Sequence, residues 1–262
     1  MRLAVDGKPV FAATGGRPHL AGQPAVAFLH GAGMDHTVWS LQTRYFAYHG
    51  RNVAAVDLPG HGRSAGPPLP SVEALADWVV RLLDALAVER AALIGHSLGA
   101  LVALEAAARH PERVSALALL GIAAPMPVHP DLLESAQAGE HLAVELVASW
   151  GFGRRAHFGG HRAPGLWMTG GGIRLLERAP GRALGVDLKA CNDYKGAAAA
   201  AARLRCPAVV IAGAADRMTS ARSGRELAGK IAGGKSVVIA EAGHMMMIEQ
   251  PDRTLDALAG AV

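Results

Sequence analysis

Short apolar runs alternate with helical patterns along most of this chain. Seven runs are rich in Val, Ile, Leu and Ala without strict polar alternation, which is typical of strands buried on both faces. The predicted strands cover residues 10–13, 25–30, 52–57, 91–95, 114–120, 208–213 and 235–240. Strands that alternate with helices predict an α/β fold, with a mostly parallel twisted sheet flanked by helices.

Helical periodicity is clearest over residues 72–88, where Leu75, Val79 and Leu82 share one face. Further helices are expected over 98–109 and 255–262. Between residues 122 and 203 the strand rhythm stops, and Gly, His, Arg and Trp become more frequent. Helical fragments at 131–138 and 141–150 indicate a mainly helical insertion in this stretch. We therefore predict a core domain of residues 1–121 and 204–262 with a cap, called here the insertion, of residues 122–203.

Composition narrows the class of protein. The 262 residues are 51% hydrophobic and 18% charged, which allows a sizeable core. The net charge of +4 comes without a basic run interleaved with aromatics, so we expect no nucleic-acid partner. No apolar stretch is long enough to span a bilayer, and no signal peptide is recognisable. We expect a cytoplasmic monomer or homodimer whose two cysteines, Cys191 and Cys206, are reduced.

The segment Gly95-His96-Ser97-Leu98-Gly99 follows a predicted buried strand and precedes a predicted helix. A serine between two glycines at such a turn is the pattern of a nucleophile elbow, which exposes the hydroxyl above the sheet. Because a serine hydroxyl is a poor nucleophile, it needs a histidine base and an acid that orients it. Asp216 follows the predicted strand 208–213, and His244 follows 235–240.

The order Ser97, Asp216, His244 is the one associated with α/β-hydrolases. Asp187 and Asp193 are poorer candidates for the acid, because they lie in the insertion. Further segments resemble motifs of the α/β-hydrolase fold family in the family's order: residues 30–33, 57–64, 216–219 and 243–251. The resemblance covers nearly the whole chain except the insertion, which corresponds to the family's variable cap.

The resemblance also implies an oxyanion hole made of two backbone N–H groups. Leu98 follows the nucleophile and begins a helix, so its N–H is one candidate. The other is assigned by resemblance to Ala32, with Gly33 as its nearest competitor. His30, His61 and His96 are interpreted as structural residues.

Specificity is expected to come partly from the insertion. Six apolar side chains near the motif loops or in the insertion are candidates for the substrate pocket: Met34, Trp150, Trp167, Met168, Met218 and Met245.

These observations predict a cofactor-free, metal-free serine hydrolase that cleaves a small or medium carboxylic ester through an acyl-enzyme intermediate. An alternative is hydrolysis of a carbon–carbon bond in a vinylogous diketone, which a carboxylate-binding arginine facing Ser97 favours. Arg154, Arg155 and Arg162 are candidates for that arginine. A further alternative is a ligand-binding receptor on the same scaffold.

Overall fold

The computed structural model describes residues 1–161 and 165–262, and within them eight strands form a single sheet. The strands are β1 (Arg2–Val5), β2 (Lys8–Ala13), β3 (Ala25–Leu29), β4 (Asn52–Val56), β5 (Ala91–His96), β6 (Val114–Leu120), β7 (Ala208–Gly213) and β8 (Lys235–Ile239). Their order is β1-β2-β4-β3-β5-β6-β7-β8. The pairs β1–β2 and β2–β4 are antiparallel, and the others are parallel.

The predicted α/β fold is confirmed, and every predicted strand forms with ends shifted by two residues at most. Every residue of β3, β4, β5 and β7 is buried, which explains their continuous apolar sequences. The sequence did not reveal β1, because it is a short edge strand with three of its four residues partly or fully exposed.

Helices cover both faces of the sheet. They are α1 (Ser40–Tyr48), α2 (Val72–Ala85), α3 (Leu98–Arg109), α4 (Pro130–Ala138), α5 (His141–Gly151), α6 (Arg154–His157), α7 (Met168–Glu177), α8 (Ala183–Asp193), α9 (Ala197–Ala202), α10 (Ala221–Ala228), α11 (Met246–Glu249) and α12 (Pro251–Ala259). A 3-10 helix, His36–Trp39, precedes α1. In the parts of the chain that the structure describes, no helix combines the length and apolarity needed to cross a membrane.

The insertion contains α4 to α9. Within it α4 packs against α5 and α8, and α5 packs against α7. Helices α8 and α9 also contact α3, which runs from the nucleophile elbow. The division of the chain into core and cap at residues 122 and 203 stays a prediction.

Candidate active site

Ser97 occupies a sharp turn between β5 and α3. Its backbone angles, φ 53° and ψ −115°, lie in a region that non-glycine residues rarely adopt. A Cβ at Gly95 would lie 2.2 Å from the Gly99 carbonyl oxygen, and one at Gly99 would lie 2.3 Å from that of Leu29. Only glycine fits at both positions, so the strain at Ser97 is held by close backbone packing.

Asp216 and His244 lie after β7 and β8, at the carboxyl end of the sheet. His244 Nδ1 donates a hydrogen bond to Asp216 Oδ2 over 2.8 Å. Asp216 also accepts from the backbone N–H of Met218 and from the N–H and hydroxyl of Thr219, each over 2.8 Å. Burial would raise the pKa of Asp216, but His244 and Thr219 outweigh it, so the net pKa is lowered. A carboxylate held ionised keeps the proton of His244 on Nδ1.

The other nitrogen of this imidazole, Nε2, is buried and has no hydrogen-bond partner among the described residues. It therefore makes no hydrogen bond to Ser97 in this structure, although both residues line the same cavity. Catalytic hydrogen bonds are often long without substrate and tighten when it binds. The arrangement can take a proton at Nε2 while Asp216 fixes the ring.

The backbone N–H groups of Leu98 and Ala32 stay the predicted donors of the oxyanion hole. Leu98 is the first residue of α3, so its N–H has no acceptor within the helix and lies at the positive end of the helix dipole. Ala32 lines a smaller cavity together with Ser97 and His244. The Gly33 N–H, its competitor, donates to Asp187 Oδ2 over 2.9 Å and is thus occupied.

A cavity of about 480 Å³ opens beside Ser97 and His244. Its lining is mostly apolar and combines the segment 126–130 with Leu132, Trp150 and Leu188 of the insertion. Of the six side chains predicted for the pocket, Trp150 and Met218 line this cavity. Met34, Met218 and Met245 line the smaller one.

Trp167 and Met168 do not line either cavity, which corrects their prediction. Trp167 is 59% exposed, and its ring lies over Gly170, where a Cβ would meet it at 2.3 Å. Met168 begins α7 and is buried among other apolar side chains. The glycine-rich sequence around them forms the start of α7 rather than a roof over Ser97.

Among the described residues, Arg217 is the arginine that lines the large cavity, and it was not one of the predicted candidates. It is exposed and has no ion-pair partner among the described residues. Of the predicted arginines, Arg155 pairs with Glu241 over 2.8 Å, and Arg154 does not line the cavity. Arg162 lies outside the described residues. Its sequence position, directly after Asp216, could have identified Arg217 as a residue close to the site.

The insertion is hydrogen-bonded to the loop that carries His244. The Gly151 carbonyl at the end of α5 accepts from His244 N over 2.7 Å. Glu249 accepts from Gly243 N through one oxygen and from Gly153 N through the other, each over 2.9 Å. Glu249 is buried, and burial raises the pKa of its carboxyl. These contacts tie the insertion directly to the histidine loop.

His96 contacts the backbone of the His244 loop, as its structural interpretation implies. His96 Nε2 contacts the His244 carbonyl oxygen over 3.0 Å, and burial together with His244 holds its pKa well below the usual value. Gly121, which was not predicted as a site residue, lies against the His244 ring. A Cβ there would lie 2.8 Å from the imidazole Cε1. Any side chain at position 121 would therefore displace the ring.

A possible metal-binding group is Asp35, His36 and Asp57. Asp57 Oδ1 accepts from the backbone and Nδ1 of His36, and Oδ2 accepts from Arg63 N. Asp35 caps the 3-10 helix through Thr37. Because these bonds already occupy both oxygens of Asp57, His36 Nδ1 and one oxygen of Asp35, the geometry gives no reason to assign an ion. The absence of a metal or cofactor requirement stays a prediction.

Comparison with known proteins finds hydrolases and esterases similar to this chain. A pimeloyl-[acyl-carrier protein] methyl ester esterase of Chromobacterium violaceum is 33% identical over 90% of this chain and 93% of that protein. An (E)-2-((N-methylformamido)methylene)succinate hydrolase of Acinetobacter baylyi is 25% identical over 90% of this chain and 89% of that protein. The enol-lactonase structure from Burkholderia xenovorans LB400 superposes with a TM-score of 0.89 and 26% identity, covering 99% of this chain and 98% of the other.

Residues 24–251 match the family described as "alpha/beta hydrolase fold". That match covers the nucleophile elbow, the loops of Asp216 and His244 and the whole insertion. The chain therefore belongs to the α/β-hydrolase fold family and is an enzyme of the hydrolase class.

Proposed function

We propose that this enzyme is a cofactor-free serine hydrolase that cleaves a small or medium carboxylic ester through an acyl-enzyme intermediate. The proposal rests on the hydrogen bonding of the two ring nitrogens of His244. Its Nδ1 is bonded to a buried carboxylate, and its Nε2 is unpaired at a cavity that Ser97 also lines. A base prepared in this way beside a serine hydroxyl is what acyl transfer requires.

In the proposed reaction, the Ser97 hydroxyl attacks the ester carbonyl while His244 Nε2 takes its proton. The oxyanion that forms accepts hydrogen bonds from the N–H groups of Leu98 and Ala32, which stabilise the transition state. His244 then gives the proton to the departing alcohol, and an acyl group remains on Ser97. Water activated by His244 releases the acid and restores the serine. Asp216 orients the ring throughout and stays ionised.

Two further observations support an ester as the substrate. The esterase from Chromobacterium violaceum and the enol-lactonase from Burkholderia xenovorans are both named for cleaving an ester or a cyclic ester. The cavity of about 480 Å³ falls in the range of pockets for small molecules, and most of its lining is apolar. We infer a small-molecule substrate with an apolar portion. The cytoplasmic location and the monomeric or dimeric state stay predictions.

A second candidate is hydrolysis of a carbon–carbon bond in a vinylogous diketone. Arg217 favours it, because this unpaired guanidinium lines the same cavity as Ser97 and could hold a carboxylate. The same serine, histidine and aspartate would serve both reactions. Substrates of the two kinds therefore have to be compared on the same preparation.

The test is a screen of p-nitrophenyl esters from two to ten acyl carbons, alongside a vinylogous diketone that bears a carboxylate. We expect turnover of the esters and its loss by at least about 10⁴-fold in Ser97→Ala. Ser40→Ala, at an exposed serine on the outer helix α1, is the control and should keep full activity. Undiminished turnover in Ser97→Ala would contradict the mechanism. Faster turnover of the diketone than of every ester would favour the second candidate.

A further inference from the structure

The backbone around Ala32 is held by a buried side chain on each side. The Gly31 carbonyl and the Ala32 N–H belong to one planar peptide unit, so they point in opposite directions. His30 Nδ1 contacts the Gly31 oxygen over 2.9 Å, and His30 Nε2 accepts from Leu58 N over 3.0 Å. Burial lowers the pKa of His30 to about 4, so the ring is neutral and Nδ1 is the donor. The core thus fixes the direction of the Ala32 N–H.

The next peptide unit is held from the insertion. It contains the Ala32 carbonyl and the Gly33 N–H, and that N–H donates to Asp187 Oδ2 over 2.9 Å. Asp187 lies on α8, 154 residues away in sequence, and is 1% exposed. Leu184 of the same helix packs over Gly33, where a Cβ would lie 3.0 Å from its Cδ1. Helix α8 therefore contacts the oxyanion loop through both a hydrogen bond and apolar packing.

A carboxylate this close to the oxyanion loop would by itself oppose negative charge on a substrate oxygen. His61 provides the compensating charge. Its Nε2 lies 2.9 Å from Asp187 Oδ2, in an ion-pair contact that is not aligned as a hydrogen bond, and its Nδ1 lies 3.1 Å from the Pro59 carbonyl. A carbonyl only accepts, so Nδ1 carries a proton. Burial would lower the pKa of His61, but Asp187 outweighs it and the net pKa is raised.

We propose that Asp187 is a positioning residue through which the insertion orients the oxyanion loop, residues 31–33, and that His61 neutralises its carboxylate. The inference rests on the proposed function, because it takes the Ala32 N–H as an oxyanion donor. Such a residue acts on the transition state, where the oxyanion exists, more than on the bound substrate. Its loss should lower kcat and leave KM nearly unchanged.

The test compares Asp187→Leu with Asp187→Asn. Both side chains have the same number of heavy atoms as aspartate and branch at the same carbon, but only asparagine keeps an oxygen that can accept from the Gly33 N–H. With p-nitrophenyl hexanoate, we expect kcat to fall about 10- to 100-fold in Asp187→Leu, with KM within about 3-fold of wild type. Asp187→Asn should keep most of the wild-type kcat. Asp193→Leu, on the same helix but exposed and paired with Lys189, is the matched control and should leave kcat unchanged.

Inhibition by phenylboronic acid separates positioning from a loss of folded protein. This acid adds to a serine hydroxyl as a tetrahedral anion, so it reports on the oxyanion hole. Its inhibition constant should rise in Asp187→Leu by the factor that kcat falls, whereas a smaller folded fraction would not change that constant. A kcat and inhibition constant within 2-fold of wild type in Asp187→Leu would overturn the proposal. Equal losses in the leucine and asparagine variants would also overturn it.

His61→Gln tests the charge without altering Asp187, and it keeps the proposal testable if Asp187→Leu does not fold. Glutamine preserves a donor but leaves the carboxylate uncompensated. We expect kcat to fall about 3- to 10-fold and the boronic acid to bind correspondingly more weakly. Unchanged values in His61→Gln would show that the charge has no role. A wild-type enzyme that turns over no ester would instead contradict the proposed function, which keeps the two failures distinct.

Discussion

The sheet core and the insertion contribute to the candidate site in different ways. The core places reactive side chains at the carboxyl ends of its strands: Ser97 after β5, Asp216 after β7 and His244 after β8. The insertion adds few reactive groups, but its Gly151 carbonyl and Asp187 carboxylate hold the loops that carry the site. In the proposed mechanism, the core supplies the reacting groups, and the insertion supplies both a wall of the cavity and the alignment of the loops.

Some features of a site therefore depend on residues close together in the sequence, and others on contacts between distant segments. The reactive residues follow from local patterns, since an elbow or a strand end needs only its neighbours. Alignment depends on contacts such as Gly33 with Asp187, whose partners are far apart in the chain. Variants in the two regions should therefore fail in different ways: loss of chemistry in the core, and loss of stability, selectivity or orientation at the insertion.

The largest effect is expected in the core, from Asp216→Asn. An asparagine amide can donate to His244 Nδ1, which favours the wrong tautomer of the imidazole. We expect kcat for p-nitrophenyl hexanoate to fall about 10⁴-fold while the far-ultraviolet circular dichroism stays unchanged. Asp256→Asn, at an exposed aspartate of α12, is the control. Retention of a tenth or more of the wild-type kcat would remove Asp216 from the proposed machinery.

Next in size is the loss of the link between the insertion and the histidine loop. Glu249→Ala leaves the N–H groups of Gly153 and Gly243 without their acceptor in a buried place. We expect the free energy of unfolding in urea to fall by about 2–4 kcal/mol. Glu226→Ala, which removes an exposed partner of Arg222, should change it by less than about 0.5 kcal/mol. Equal effects of the two substitutions would contradict a role of Glu249 as a link.

A smaller effect is expected at Arg217, on selectivity alone. For mono-p-nitrophenyl adipate, whose far end is a carboxylate, Arg217→Gln should lower kcat/KM about 10-fold. For the neutral p-nitrophenyl hexanoate, the change should stay below about 2-fold. Arg154→Gln removes an exposed arginine that does not line the cavity, and it should affect neither ester. If both esters respond equally to Arg217→Gln, the guanidinium does not recognise a carboxylate.

The smallest effect is expected in the pH dependence of stability. Asp187, Asp57 and His30 face His61, and the net shift of the His61 pKa is upward. A raised pKa in the folded state stabilises the protein fully below the ordinary histidine pKa of about 6.5, and this stabilisation is lost as the pH rises through the raised value. The difference in unfolding free energy between wild type and Asp187→Asn should therefore be larger at pH 6 than at pH 9. A difference that grows with pH would contradict a raised pKa of His61.

Much of the core could be predicted because its signals are local. Continuous apolar runs predicted the strands β3 to β8. The glycines on either side of Ser97 predicted a tight turn, in which no larger residue fits at those two positions. The strands β6 and β7 were predicted with their observed bounds. Helix α12 begins at Pro251, four residues before its prediction, because proline fits the first turn of a helix.

The insertion was less predictable for a physical reason. Trp167 and Met168 had the right chemistry for a pocket wall, but only the packing of α7 decides where they point. Asp187 was set aside as a triad acid, and nothing near it in sequence indicates that it contacts Gly33 and His61. Contacts between distant segments leave no periodic trace in a single sequence. Arg217 could have been predicted, since it directly follows Asp216 in the loop after a strand.

The proposed mechanism depends above all on activation of the Ser97 hydroxyl by His244. The most direct measurement is intact-protein and peptide mass spectrometry after reaction with a fluorophosphonate. We expect one adduct per chain, on Ser97, with no adduct in Ser97→Ala and a labelling rate at least about 10³-fold lower in His244→Ala. An adduct on another residue, or labelling of Ser97 at the same rate without His244, would contradict it.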